Sequence, residues 1–169
     1  MKQIVVMKFG GTSVGSAERI QAVADIVADA HKTYAVAVIT SAMSGVTDLL
    51  VQAAELASSK RKKQYLALVS RIQSQHFEAA AGLSLDEKAY ASLCSSLETE
   101  LQSLRGWLEG VYMLRELSPR ARDLITSFGE RMSVHLLAAS LRAQSLPAEP
   151  ITADRWLVTN DRFGDAQPN

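Results

Sequence analysis

The sequence predicts an α/β fold: a mainly parallel sheet flanked by helices, with a helical hairpin inserted into it. Three observations predict it. Two short apolar runs, Ile4 to Met7 and Tyr34 to Thr40, are separated by a helical pattern of the length that a crossover between parallel strands needs. Each run empties into a turn of small and hydroxylated residues that leads into another helical pattern. Residues from about 62 to 117 then carry helical periodicity and no strand signal.

Composition sets the outer limits. At 169 residues, 47% hydrophobic and 21% charged, the chain is long enough for one soluble domain with a real core. Eighteen basic residues balance eighteen acidic ones, so no global field favours nucleic acid or an anionic membrane. Lys60-Arg61-Lys62-Lys63 is the one local exception and reads as a solvated helix start. The single cysteine, Cys94, cannot close an intrachain disulfide and falls in an apolar helical stripe, which suits a reducing cytoplasm. The N-terminal apolar run is interrupted by Lys8 and is too short for a signal-peptide core or a membrane span.

The first strand runs into Lys8-Phe9-Gly10-Gly11-Thr12-Ser13-Val14-Gly15. A turn with so little side-chain bulk lets backbone N–H groups approach an anion, and the following helix N-terminus adds partial positive charge. Phosphate is the obvious guest. Lys8 precedes an adjacent glycine pair, an order that fits neither the P-loop nor the dinucleotide-binding turn. By itself Lys8 reads equally well as an end-of-strand surface lysine.

Ser16 is placed to cap the next helix, with Glu18 in its first turn and Ala17, Ile20, Val23, Ala24, Val27 and Ala30 along one face. The second strand follows, completing a right-handed βαβ unit. It leads into Ser41-Ala42-Met43-Ser44-Gly45-Val46-Thr47-Asp48 and a helical pattern from Leu49 to Ala57. Both turns then lie at the carboxyl ends of the strands, where open α/β sheets bind ligands. Ser41, Ser44 and Thr47 also fit a plainer reading, as turn and cap residues.

In the helical stretch, Tyr65, Leu68, Val69 and Ile72 mark one helix, which Gly82 can end at a C-cap. Ser84-Leu85-Asp86-Glu87 has capping-box spacing, and Tyr90, Cys94, Leu97, Leu101, Leu104, Leu108 and Val111 form the stripe of a long helix. Such a stripe reads as core rather than as a cofactor site. Ser118-Pro119 restarts a helix through Leu124, Ile125, Phe128, Met132, Leu136, Leu137 and Leu141. Gly129 interrupts it, at a cost of roughly 1 kcal/mol relative to alanine, and so marks a close approach by something, helix packing or a slight kink.

The tail, Pro147 to Asp154 and then Trp156 to Gly164, reads as a third strand followed by a loop or short hairpin, and the chain stops at Asn169 as if cut in a loop. His31, His76 and His135 have no metal-ligand spacing, and Ser133 near His135 is no hydrolase constellation.

Four segments together resemble the aspartate kinases of the amino-acid kinase family. They are the Lys8–Gly15 turn, Ser41-Ala42-x-x-Gly45-Val46-Thr47-Asp48-Leu49-Leu50, Ser127-x-Gly129-Glu130-x-Met132-Ser133, and Thr159-Asn160-Asp161-Arg162-Phe163-Gly164. Asp48 departs slightly, since many relatives carry Asn there. The resemblance implies a three-layer sandwich with a helical insertion at about 60–117. Residues 1–169 would be the N-terminal part of the catalytic domain, with the nucleotide-binding part and an Arg-Gly-Gly-Ser-Asp-like motif beyond Asn169. The isolated piece is accordingly expected to be inactive or barely active.

The implied reaction moves the γ-phosphoryl group of ATP to the side-chain carboxylate of L-aspartate, giving 4-phospho-L-aspartate for lysine, threonine and methionine synthesis. By the same resemblance Lys8 is catalytic, Lys8, Phe9, Gly10, Gly11, Thr12 and Ser13 hold the ATP phosphates, and Ser41, Thr47 and Glu130 bind substrate. Glu130 would take the substrate ammonium. Magnesium would arrive with ATP, no protein metal site is implied, and the complete protein would be a homo-oligomer that binds neither nucleic acid nor membrane.

The chemistry agrees, because an aspartate side chain with a pKa near 3.9 is already an ionised nucleophile and needs no general base. Charge from Lys8 and N–H donors from the Gly10-Gly11 backbone meet the remaining need. Two alternatives stay open: a neighbouring family member acting on glutamate or another acid, and a binding or regulatory module that kept the fold without the chemistry.

Overall fold

The computed structural model describes residues 2–153 and 157–168. Strands β1 (Ile4–Phe9) and β2 (Ala35–Thr40) pair in parallel, with Ile4 opposite Ala35 and Lys8 opposite Ile39. Helix α1 (Ala17–Thr33) makes the crossover, and Ser16 caps it by accepting the Arg19 N–H at 3.4 Å. Helices α2 (Val46–Ser58), α3 (Lys62–Gly82), α4 (Glu87–Leu114) and α5 (Pro119–Ala143) follow.

Strand alternation sorts the sheet into two unlike faces. Met7, Phe9, Val36 and Val38 lean on the core, where α1 and α5 contact β2. The opposite face carries Ile4, Val6, Lys8 and Ile39; Ile4 is 71% exposed, Val6 61% and Ile39 51%. Among the described residues, helices cover one face of the sheet and leave the other open.

The core sits between the helices. Tyr65, Ile72, Leu97, Leu101, Leu104, Leu108, Ile125, Phe128 and Met132 are all fully buried. His76 is buried among them, with Nδ1 2.7 Å from the Ile72 carbonyl oxygen, so Nδ1 carries the proton. Burial lowers its pKa and keeps the ring neutral.

Four local expectations need correction. The α4 stripe begins at Leu93, with Tyr90 exposed and Cys94 only half-buried. Eighteen residues are five turns of an α-helix, so Leu93 lies in line with Val111, whereas strict seven-residue steps back to Tyr90 drift off the face by about 20° each. Asp86, rather than Ser84, caps α4 by accepting the Ala89 N–H at 2.7 Å. Gly82 is the last residue of α3, not its cap: a Cβ there would lie 2.6 Å from Ala17 Cβ, and the cap position is Leu83 in ordinary extended backbone. Finally, α2 starts at Val46, which draws Thr47 and Asp48 from the turn into its first helical turn.

The expected third strand does not form among the described residues. Residues 147–153 lie beside the free edge of β2 across a cavity of about 400 Å³, lined by Val36, Val38, Leu137, Leu141, Pro147 and Ile151 among others. Pro147 and Pro150 have no N–H to give a ladder, which works against pairing here. Asp154 and Trp156, part of that expectation, lie outside the described residues. Beyond them, one antiparallel bridge between Thr159 and Pro168 closes a short loop. Among the described residues no helix is long and apolar enough to cross a membrane.

Candidate phosphate and substrate site

The two strands leave the sheet side by side. The Ser41 N–H donates to the Phe9 carbonyl at 3.1 Å, extending the ladder one step past the end of β2. After β1, Gly10 stays extended and its carbonyl accepts the Ser13 N–H at 2.9 Å, opening a 3-10 turn over Gly11–Val14. The Arg19 guanidinium donates to the Thr12 carbonyl at 2.9 Å and ties that turn to α1.

The adjacent glycines do different work. A Cβ on Gly11 would stand 2.7 Å from the Ala42 carbonyl oxygen, so Gly11 lets the second turn close on the first. A Cβ on Gly10 would meet nothing within 4 Å. Gly10 therefore leaves its backbone open to a ligand, while Gly11 is a packing residue.

The third segment arrives on α5, which runs unbroken through Gly129. A Cβ there would lie 2.6 Å from Ala42 Cβ, 3.3 Å from Val46 Cγ1 and 3.4 Å from Leu50 Cδ1. Gly129 thus marks a close approach and no kink. Ala42 is held between Gly11 and Gly129, so three segments far apart in sequence meet at one small residue.

Around this junction Lys8, Thr12 and Thr47 are exposed, and Ser13, Ser41 and Glu130 are half-buried. Phe9 is half-buried against the core, which leaves only its backbone for a phosphate. Thr47 stands in the first turn of α2, whose N-cap Gly45 makes no side-chain cap, so the helix start keeps N–H groups and positive partial charge for an anion.

Glu130 and Arg131 are neighbours with different tasks. Among the described residues Glu130 has no hydrogen bond or ion pair, whereas Arg131 pairs with Glu100 of α4 at 2.8 Å and lies 4.6 Å over the Phe128 ring. His135 lies 3.8 Å from the other Glu100 oxygen. Burial works to raise the Glu100 pKa, but the neighbouring His135 and Arg131 side chains outweigh it, and the carboxyl is held below its ordinary range. One charge is committed to packing α5 on α4, and its neighbour stays available.

Nothing in the residue pattern signalled the Glu100–Arg131 pair, since its partners are distant in sequence. The Thr159–Gly164 segment also acquires a structural role. The Asn160 side-chain oxygen accepts the Arg162 and Gln167 N–H groups at 3.2 Å each, and the Gly164 N–H donates to Asp123 of α5 at 2.7 Å. Gly164 has φ 85°, a conformation that favours glycine. The segment is a loop docked on the start of α5.

A sequence model of the amino acid kinase family matches residues 3–166. The chain belongs to the amino acid kinase family. Among named relatives, aspartokinase of Schizosaccharomyces pombe is 34% identical over 151 residues, a match covering 86% of this chain and 29% of the relative. Aspartokinase 1, chloroplastic, of Arabidopsis thaliana is 35% identical over 161 residues, covering 94% of this chain and 27% of the relative. The crystal structure of Escherichia coli aspartokinase III with aspartate and ADP superposes with a TM-score of 0.85 at 29% identity, covering 99% of this chain and 35% of that one. Its complex with lysine and aspartate superposes with a TM-score of 0.83. This amino acid kinase family member thus has the parallel sheet and flanking helices expected of it, and it spans about a third or less of the length of the proteins it matches.

Proposed function

We propose that residues 1–169 are the N-terminal part of an aspartate kinase, whose complete form transfers the γ-phosphoryl group of MgATP to the side-chain carboxylate of L-aspartate. The observation that carries this reading is the meeting of three motif segments at Ala42, through Gly11 and Gly129. Decorative turn residues have no reason to share one junction.

In this reading Lys8, exposed at the end of β1, supplies positive charge to the transferring phosphoryl oxygens, and the open backbone of Gly10 with Gly11, Thr12 and Ser13 offers N–H donors. Ser41 and Thr47 orient the acceptor, and Glu130, unpaired among the described residues, receives its ammonium by charge-assisted hydrogen bonds. Magnesium is carried by the nucleotide and neutralises phosphate charge. The open sheet face bearing Ile4, Val6 and Ile39 is covered by the rest of the catalytic domain, for which the relatives' greater length leaves ample chain. Residues 1–169 alone are then expected to show no turnover.

The test is hydroxylamine trapping of acyl phosphate with the complete protein, carried to its natural stop codon, with MgATP and L-aspartate or L-glutamate. The expected result is aspartate-dependent hydroxamate. Lys8→Ala should lower kcat by about 10²–10³-fold, as loss of one transition-state donor does. Glu130→Ala should raise KM for L-aspartate by about tenfold or more, the scale of one charged hydrogen bond. Product with glutamate alone would assign a neighbouring kinase; aspartate binding without product would assign a non-catalytic module.

A further inference from the structure

The inserted hairpin reaches the second turn directly. Gln75 of α3 donates from its side-chain amide to the Ser44 carbonyl oxygen at 3.1 Å, across thirty-one positions of sequence. The donor must be the amide nitrogen, because a carbonyl oxygen can only accept. Beside this contact, Gly15 of the first turn approaches Ser44 so closely that a Cβ on Gly15 would lie 3.4 Å from Ser44 Cβ.

The carbonyl that Gln75 holds belongs to the central peptide of a tight turn. The Val46 N–H donates to the Met43 carbonyl at 3.0 Å, and Gly45, at the third position, has φ 78° and ψ −8°. Ser44 is not among the residues with positive φ, so the turn is type II. Type I and type II turns differ by a flip of this one peptide, and glycine at the third position tolerates both. Something outside the turn must choose.

We infer that Gln75 is a positioning residue for the proposed substrate site: it holds the Ser44–Gly45 peptide in the type II orientation and so sets what this turn presents beside Thr47. Peptide planarity makes the two ends of that bond point oppositely, so fixing the Ser44 carbonyl towards α3 directs the Gly45 N–H away from it. That N–H has no hydrogen-bond partner among the described residues, and Gly45 is exposed. An anionic acceptor substrate is the ligand class such a donor serves, together with the start of α2 at Val46, one residue before Thr47. In the flipped peptide the carbonyl oxygen takes that place and repels a carboxylate.

This inference rests on the aspartate kinase reading, and the test separates the two. In the complete protein, Gln75→Met keeps the length of the side chain and removes the donor, while Gln75→Glu also sets an acceptor against the Ser44 carbonyl. Gln75→Met should raise KM for L-aspartate about fivefold, the scale of one hydrogen bond. Gln75→Glu should raise it further. For both, kcat should stay within about twofold, KM for MgATP should not move, and the melting temperature should stay within about 2 °C, as for a surface change. An unchanged aspartate KM in an active enzyme, or an equal rise for MgATP, overturns the role of Gln75 and leaves the kinase reading standing. A wild-type protein without aspartate-dependent turnover overturns both.

Discussion

The helical half and the sheet half of this chain are built to opposite standards. In the helical half, Tyr65, Leu97, Leu101, Leu104 and Phe128 are fully buried, and Glu100 finds both Arg131 and His135. In the sheet half, two strands expose Ile4, Val6 and Ile39, and the turns at their ends keep Lys8 and Thr47 in the open. Burial of apolar area concentrates stability in the first region, while ligand binding needs groups left accessible in the second. The hairpin therefore does more than fill space. It is the rigid body against which the turns are set, through Gly82 on Ala17 and Gln75 on Ser44.

The largest effect of breaking this contrast is expected at Leu104. Leu104→Ala empties a fully buried position and should cost about 2–5 kcal/mol in urea unfolding, far more than any substitution on the open face. A loss under about 1 kcal/mol would mean that the helices repack freely and hold nothing in place.

Gly129→Ala lies on the boundary between the halves. Alanine adds about 1 kcal/mol of helix propensity, but its methyl would stand 2.6 Å from Ala42 Cβ, and neither methyl has a rotamer to escape through. The helix must back away, for a net loss of about 1–3 kcal/mol, with a raised KM for L-aspartate in the complete protein. A stabilised variant with unchanged KM would separate α5 from the turn it is packed on.

The smallest effect is expected at Val6. Val6→Ala in the isolated 169 residues should change stability by no more than about 0.5 kcal/mol, because the side chain is 61% exposed there. In the complete protein the same change should cost about 1–2 kcal/mol if further chain covers that face. Equal small losses in both would sink the proposal that the rest of the domain packs on it.

Much of the fold was legible. The βαβ unit, the caps at Ser16 and Ser118 and the helical character of 62–114 all follow from local periodicity and cap chemistry, which are properties of neighbouring residues. The errors came where local signals compete. The capping-box spacing pointed to Ser84, but Asp86 takes the cap; Gly82 looked like a cap and serves close packing. The tail looked like a strand by apolar content, yet Pro147 and Pro150 lack the N–H groups a ladder needs.

At the site, the four motifs and their order were visible in the chain, and so were the residue types suited to phosphate and to an ammonium. Their meeting was not. Which of two adjacent glycines packs and which stays open, why a glycine stands at 129 within a helix, that Arg131 is tied to Glu100 while Glu130 has no partner among the described residues, and that Gln75 holds a peptide thirty-one residues away are facts of tertiary contact. Local sequence determines backbone preference within a few residues, through sterics and hydrogen bonding along the chain. Which distant surfaces touch is decided only when helices and sheet pack as whole bodies, and at that step one absent Cβ at Gly11 or Gly129 settles how closely the turns approach.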